Sequence, residues 1–264
     1  MKTDRGVIRQ AAVIVGLLVT LIINTLSVTL PLNGRSTQEI SDSFPITFVP
    51  APYVFGIWGP IYVGMIAYAI YQALPANRND PLLVRIGWPF VLSCIGNSCW
   101  IILWHYGFYP WTLLLMAELL VCLVVIYLLL VQGYARARLV ERLVIHWPFS
   151  MYTAWVTVAT IVNTVVVLYN AGWNGWGISP TVWALVLLAV GAALGCLVGF
   201  ERGDVAFAGV IVWAFIGIGV KQAALPPLVL AANIAAGVVA AVALWGLVRV
   251  KRLTAPNQEL RTKN

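Results

Sequence analysis

Hydrophobic residues fall into eight long runs, and most charged residues lie in the gaps between them. The runs cover about 7–30, 55–75, 86–106, 110–133, 144–169, 180–200, 204–222 and 227–249, each close to the roughly 20 residues a bilayer crossing takes. Unbroken apolar runs of this length predict helices, because backbone amides in lipid must be satisfied within their own segment. The expected architecture is all-α: a polytopic integral membrane bundle of eight transmembrane helices. Most gaps are short, so successive helices are antiparallel neighbours. The exception is the loop 31–54, which mixes Asn33, Arg35, Glu39 and Asp42 with Phe44, Phe48 and the prolines 45, 50 and 52. Prolines restrict the chain, which suits a compact cover better than a floppy tether.

Composition agrees with this reading and fixes an orientation. The chain is 61% hydrophobic and 9% charged, against about 25% charged in a soluble domain. A net charge of +7 would suit nucleic acid only if the basic residues shared a water-exposed face, and they do not. With the N-terminus in the cytoplasm, 14 of the 16 basic residues lie inside and only Arg35 and Lys221 outside. By the positive-inside rule both termini are cytoplasmic and the first loop is outside. The expected setting is a bacterial inner membrane, with the lipid bilayer as partner and no nucleic acid. The run 7–30 is too long for a signal-peptide core and lacks a small-residue exit, so it is read as a spanning helix. The cysteines at 94, 99, 122 and 196 show no C-x-x-C pairing and read as small packing residues.

Three stretches carry unusual chemistry for lipid. The second run opens on Trp58 and Tyr62, the third holds Asn97 and Trp100, and in the fifth Trp155, Ala159 and Asn163 recur every fourth residue, which puts them on one stripe. An Asn side chain or indole N–H in hydrocarbon needs a partner from another helix, so these segments should face one another in the outer half, beneath the loop. An indole, a gap and an amide on one face suit either a flat ligand or a packed neighbour, and spacing alone favours the neighbour. Glu118 is the only acidic residue deep in a span, level with Asn97. It reads either as a functional group or as a protonated carboxyl bonded to Asn97 or a backbone carbonyl. His105 and His146 fall at opposite ends of the bundle, about 30 Å apart, so they are not paired haem ligands and read as solvated interfacial side chains. No metal site is indicated. Trp88, Trp104, Trp111, Trp147, Trp173, Trp176, Trp183 and Trp245 lie near helix ends, where indoles settle at headgroup level. Trp58, Trp100, Trp155 and Trp213 sit deeper.

In order and placement, these segments resemble the translocator protein or tryptophan-rich sensory protein (TspO) family of five-helix bundles. The matching motifs are W-x3-Y after a proline-rich entry (Trp58, Tyr62), N-x2-W (Asn97, Trp100) and W-x3-A-x3-N (Trp155, Ala159, Asn163). The resemblance covers about residues 7–170 and implies a five-helix core over 1–170, with 171–250 as a three-helix extension and 251–264 as a cytoplasmic tail. Two features depart from it. The family's aromatic four residues before the second-helix Trp is Val54 here, with Phe55 one place off, and the proline ahead of Trp155 is Pro148, seven residues before it instead of four. The resemblance implies a pocket among the first, second, third and fifth helices, lined by Trp58, Tyr62, Asn97, Trp100, Trp155, Ala159 and Asn163, with Glu118 as a polar partner. It also implies a tetrapyrrole ligand such as porphyrin or haem, with no obligatory cofactor.

The last three runs go beyond a five-helix bundle. Gly191, Gly195 and Gly199 in the sixth and Ala232, Ala236 and Ala240 in the eighth are spaced for close helix packing, on the core, on a second copy as a homodimer, or on another complex. Three functions follow as expectations: a ligand-binding sensor or carrier; an accessory subunit of a larger membrane assembly, such as a photosynthetic pigment–protein complex; and, with least support, a secondary transporter, since no inverted repeat or chain of intramembrane charges is visible. No nucleophile–base arrangement or phosphate loop is present, so the chain is not expected to be an enzyme.

Overall fold

The computed structural model describes residues 2–30, 32–134 and 137–259. All regular structure among them is helical. In chain order the helices are α1 (Lys2–Thr29), α2 (Thr37–Asp42), α3 (Trp58–Ala73), α4 (Pro81–His105), α5 (Tyr109–Gly133), α6 (Leu139–Glu141), α7 (Trp147–Asn170), α8 (Pro180–Arg202), α9 (Val205–Lys221) and α10 (Pro226–Glu259). A 3₁₀ turn, Pro52–Ile57, leads into α3, and a π turn, Arg142–His146, joins α6 to α7. Pro148 lacks an amide hydrogen and its ring crowds the carbonyl four residues back, which accounts for a widened turn just before it.

Among the described residues seven helices are long and apolar enough to cross a membrane: those spanning Arg5–Thr29, Pro52–Ala73, Pro81–His105, Tyr109–Gly133, Leu139–Asn170, Pro180–Arg202 and Pro226–Val250. The expected eighth span, 204–222, is the apolar helix α9, which has 17 residues. At 1.5 Å per residue it is about 25 Å long, short of the roughly 30 Å hydrocarbon core. Its start is set by Gly203, in the left-handed region at φ 63°, and by Asp204, whose carboxylate accepts the Ala206 and Phe207 amides. At the other end of the chain, α10 runs to Glu259, so the stretch expected as a tail from 251 continues the helix.

The chain divides into two compact units, Met1–Ile46 with Phe55–Asn174, and Thr47–Val54 with Gly175–Asn264. In the first, the principal neighbours form a closed ring: α1 packs on α3, α3 on α7, α7 on α5, α5 on α4, and α4 on α1. Each closure has a local cause. At Gly64 a Cβ would lie 2.5 and 2.6 Å from Cβ and Cγ of Pro148, so only glycine lets α3 approach α7 this closely. The α1–α4 seam is polar: Thr20 Oγ1 lies 3.2 Å from the Cys94 carbonyl it donates to, and Asn24 Nδ2 donates to Asn97 Oδ1 at 2.7 Å. Gln10 and Gln72 tie α1 to α3 by amide bonds to each other's backbone carbonyls, at 2.6 and 3.2 Å.

In the second unit α8, α9 and α10 pack on one another. Gly191 meets Phe215, Gly195 meets Val239 and Ile211, and Gly199 meets Ala243, while Ala232 and Ala236 are buried and Ala240 half-buried. The small-residue stripes are thus spent inside this unit. So is a third of the long loop. Ala51 N–H donates to the Gly217 carbonyl (3.0 Å), Trp213 Nε1 to the Val54 carbonyl (3.1 Å) and Gln222 Nε2 to the Thr47 carbonyl (3.0 Å). Two prolines leave Thr47–Val54 short of amide donors, and α9 satisfies its carbonyls instead.

Several side chains differ from their expected setting. Trp104, expected in the headgroup belt, is 3% exposed, whereas Trp88, Trp111 and Trp245 are 50%, 60% and 70% exposed. His105 and His146 are buried, not solvated: His105 Nδ1 bonds the Ile101 carbonyl at 2.7 Å, and His146 packs edge-on against Tyr134. Cys99, expected to pack, is exposed.

Candidate functional site

The three expected segments meet inside the ring, in two tiers. At the first, the Trp58 and Tyr62 rings stack at 5.0 Å, one helical turn apart on α3. Across the Gly64–Pro148 approach, Trp58 meets Tyr152 at 5.7 Å and Trp155 at 6.3 Å, both edge-to-face. Phe55 meets Trp155 edge-on at 5.8 Å, so the aromatic displaced by one position still reaches the cluster, while Val54 is buried over Gly217 in the second unit. Trp155 is buried and Trp58 and Tyr62 are half-buried. The Trp58 and Trp155 indole N–H groups and the Tyr62 hydroxyl make no hydrogen bond to any other described residue. Tyr152, which is buried, closes the tier.

The second tier lies about 12 Å further along α7, eight residues on at 1.5 Å each. Here Trp100 Nε1 donates to Asn163 Oδ1 at 2.9 Å, and Asn163 Nδ2 donates to Thr112 Oγ1 at 2.9 Å. Trp104 stacks on Trp100 at 5.2 Å and donates its N–H to the Thr37 carbonyl. Ala159, half-buried, separates the tiers on the α7 stripe.

The amides and the aromatics differ chemically. Asn97 Oδ1 accepts from Asn24, and Asn163 is engaged at both its oxygen and its nitrogen by Trp100 and Thr112, so these groups tie helices together. The aromatic tier keeps three donors unspent. Asn163→Leu would strand the Trp100 N–H, while the Thr112 hydroxyl keeps its bond to the Tyr109 carbonyl. It is expected to cost about 1–2 kcal/mol in detergent unfolding, with less than half that in a Trp100→Phe background.

Glu118 does not bond Asn97. Its Oε1 accepts the Cys122 thiol at 3.1 Å, and its carboxyl group lies flat on Gly96, where any Cβ would overlap Oε2 and sit 3.0 Å from Cδ. Depth along the helix placed it at the right level, but rotation about α5 turned it to a different partner. Reading the spacing missed Tyr152, Asn24, Thr112 and Trp104. Two carried a usable signal: Tyr152 falls on the Trp155 stripe three residues back, and Asn24 is an intramembrane amide like Asn97.

Among the described residues no group of three His, Cys, Asp or Glu side chains could hold a metal ion. A family model described as TSPO-like protein matches residues 10–245. That match runs past residue 170, through α8 and α9 and into α10. No curated protein and no solved structure matches the chain.

Proposed function

Because the chain belongs to the TSPO-like protein family and is therefore a multi-pass membrane protein, we propose that it binds a tetrapyrrole or similarly flat, mostly apolar ligand against the Trp58–Tyr62–Tyr152–Trp155 cluster, as a sensor or carrier. One observation carries this reading: four aromatic rings from two helices gather around donors that have no partner among the described residues, while the Asn163 amide nearby is paired. Apolar walls with a few unspent donors are what a macrocycle with a polar centre or edge needs. On this reading both termini lie in the cytoplasm of a bacterial inner membrane, with the 17-residue α9, at the lower end of the spanning range, as the eighth crossing; the ligand is held without chemical turnover, and no other cofactor is required. The rival reading, a subunit docking on a larger complex through its small-residue helices, has less support because those residues already pack within α8–α10.

The test is equilibrium dialysis of the detergent-solubilised protein against protoporphyrin. Emission quenching is a poorer readout, because the variant lacks two emitters. Trp58→Ala with Trp155→Ala is expected to weaken binding at least about tenfold, or 1.4 kcal/mol, within the range of two lost aromatic contacts. Unchanged binding in a folded double variant, or none in the native protein, refutes the reading.

A further inference from the structure

The second unit carries a groove of about 830 Å³, lined by Phe200 of α8 and by Ala241, Leu244, Trp245, Val248, Arg249 and Arg252 of α10. The α10 residues follow spacings of three and four, so they form one helical stripe. Its polarity is graded along the helix: four apolar side chains come first, then two guanidinium groups at one end. The stripe advances about 16 Å over its eleven steps at 1.5 Å each, close to half of the roughly 30 Å hydrocarbon core and so to the depth of one leaflet. Trp245 stands at the transition and is 70% exposed, as an indole at headgroup level would be. Arg249 is held in place, its guanidinium carbon 4.4 Å from the Phe200 ring centroid. Stacking uses the face of a guanidinium and leaves its in-plane N–H edge directed outward.

We infer that this groove is a binding site for one anionic phospholipid of the surrounding leaflet, with an acyl chain along Ala241–Val248 and the phosphate on Arg249 and Arg252. The charge at one end selects the headgroup, since two clustered arginines recognise a phosphate bidentately. The apolar length selects a lipid over a free phosphate, which would use only the last turn. The depth suits a lipid better than a protein helix, which would extend past the groove in both directions.

The full chain is purified in mild detergent with equal phosphatidylglycerol and phosphatidylcholine, and retained lipid is counted by native mass spectrometry. Phosphatidylglycerol is expected to be retained over phosphatidylcholine by about tenfold. Arg249→Gln with Arg252→Gln should bring that ratio near one. Ala241→Trp, which fills the apolar end and keeps both arginines, should release the lipid while leaving the basic residues intact. Equal retention of the two lipids by the native protein overturns the inference. So does selectivity that survives Ala241→Trp, which would mean adsorption to basic residues alone, or displacement of the lipid by inorganic phosphate. If either variant fails to elute as a single species, the native ratio decides.

Discussion

Gly64→Val is expected to destabilise the five-helix unit by about 3 kcal/mol, the upper end of the usual cost of overpacking a filled contact, and to abolish ligand binding with it. A side chain at 64 would fall on the ring of Pro148, a rigid group on helix backbone that cannot swing aside as a flexible chain could. Helix α3 would have to withdraw from α7. Trp58 and Tyr62 lie on the same helix within two turns, so they would leave Tyr152 and Trp155. Gly59→Ala is the control, because a Cβ there meets nothing within 4 Å, and its effect should stay within about 0.5 kcal/mol. Thermal unfolding followed by tryptophan emission reads both. A Gly64→Val protein as stable as the control would mean that α3 and α7 are not in contact at this point.

A comparable loss is expected for Gly246→Ala in the three-helix unit. There a Cβ would overlap the Gly199 carbonyl oxygen and lie 2.9 Å from the Gly199 carbonyl carbon and the Phe200 Cα. All three atoms belong to backbone of α8, so relief requires moving a helix. The expected cost is about 3 kcal/mol, despite the roughly 1 kcal/mol that alanine gains over glycine in helix propensity. Gly237→Ala on the same helix meets nothing within 4 Å and should gain that propensity, so the two substitutions should move unfolding in opposite directions. Movement in the same direction would show that α8 and α10 are farther apart than described.

How much of this was legible in the sequence follows from the physics of a bilayer. Run length identified seven spans and the shorter apolar helix α9, and the rule that a buried amide needs a partner brought Asn97 and Asn163 to helix seams, whereas Trp58 and Trp155 joined the same interior with their N–H groups unbonded. Azimuth was not legible. A helix apolar on every side shows no stripe to say which face turns inward, so the sequence leaves Glu118 between a functional role and a bond to Asn97 or a backbone carbonyl, whereas it lies against Gly96 and accepts from Cys122. Trp104 and Trp111, both near helix ends, looked alike although one is buried and the other exposed. The division of the loop was hidden for another reason. Nothing local in Thr47–Val54 indicates that its carbonyls find Trp213 and Gln222 more than 150 residues away.

The central claim is that the aromatic tier between α3 and α7 receives the ligand, and the most direct measurement of it is photo-crosslinking. A diazirine-bearing porphyrin would be irradiated in the purified protein and its adducts located by peptide mass spectrometry. The account predicts adducts in 55–62 and 152–159, competed away by unlabelled protoporphyrin. Competable adducts confined to α8–α10, with none in those two segments, would contradict it.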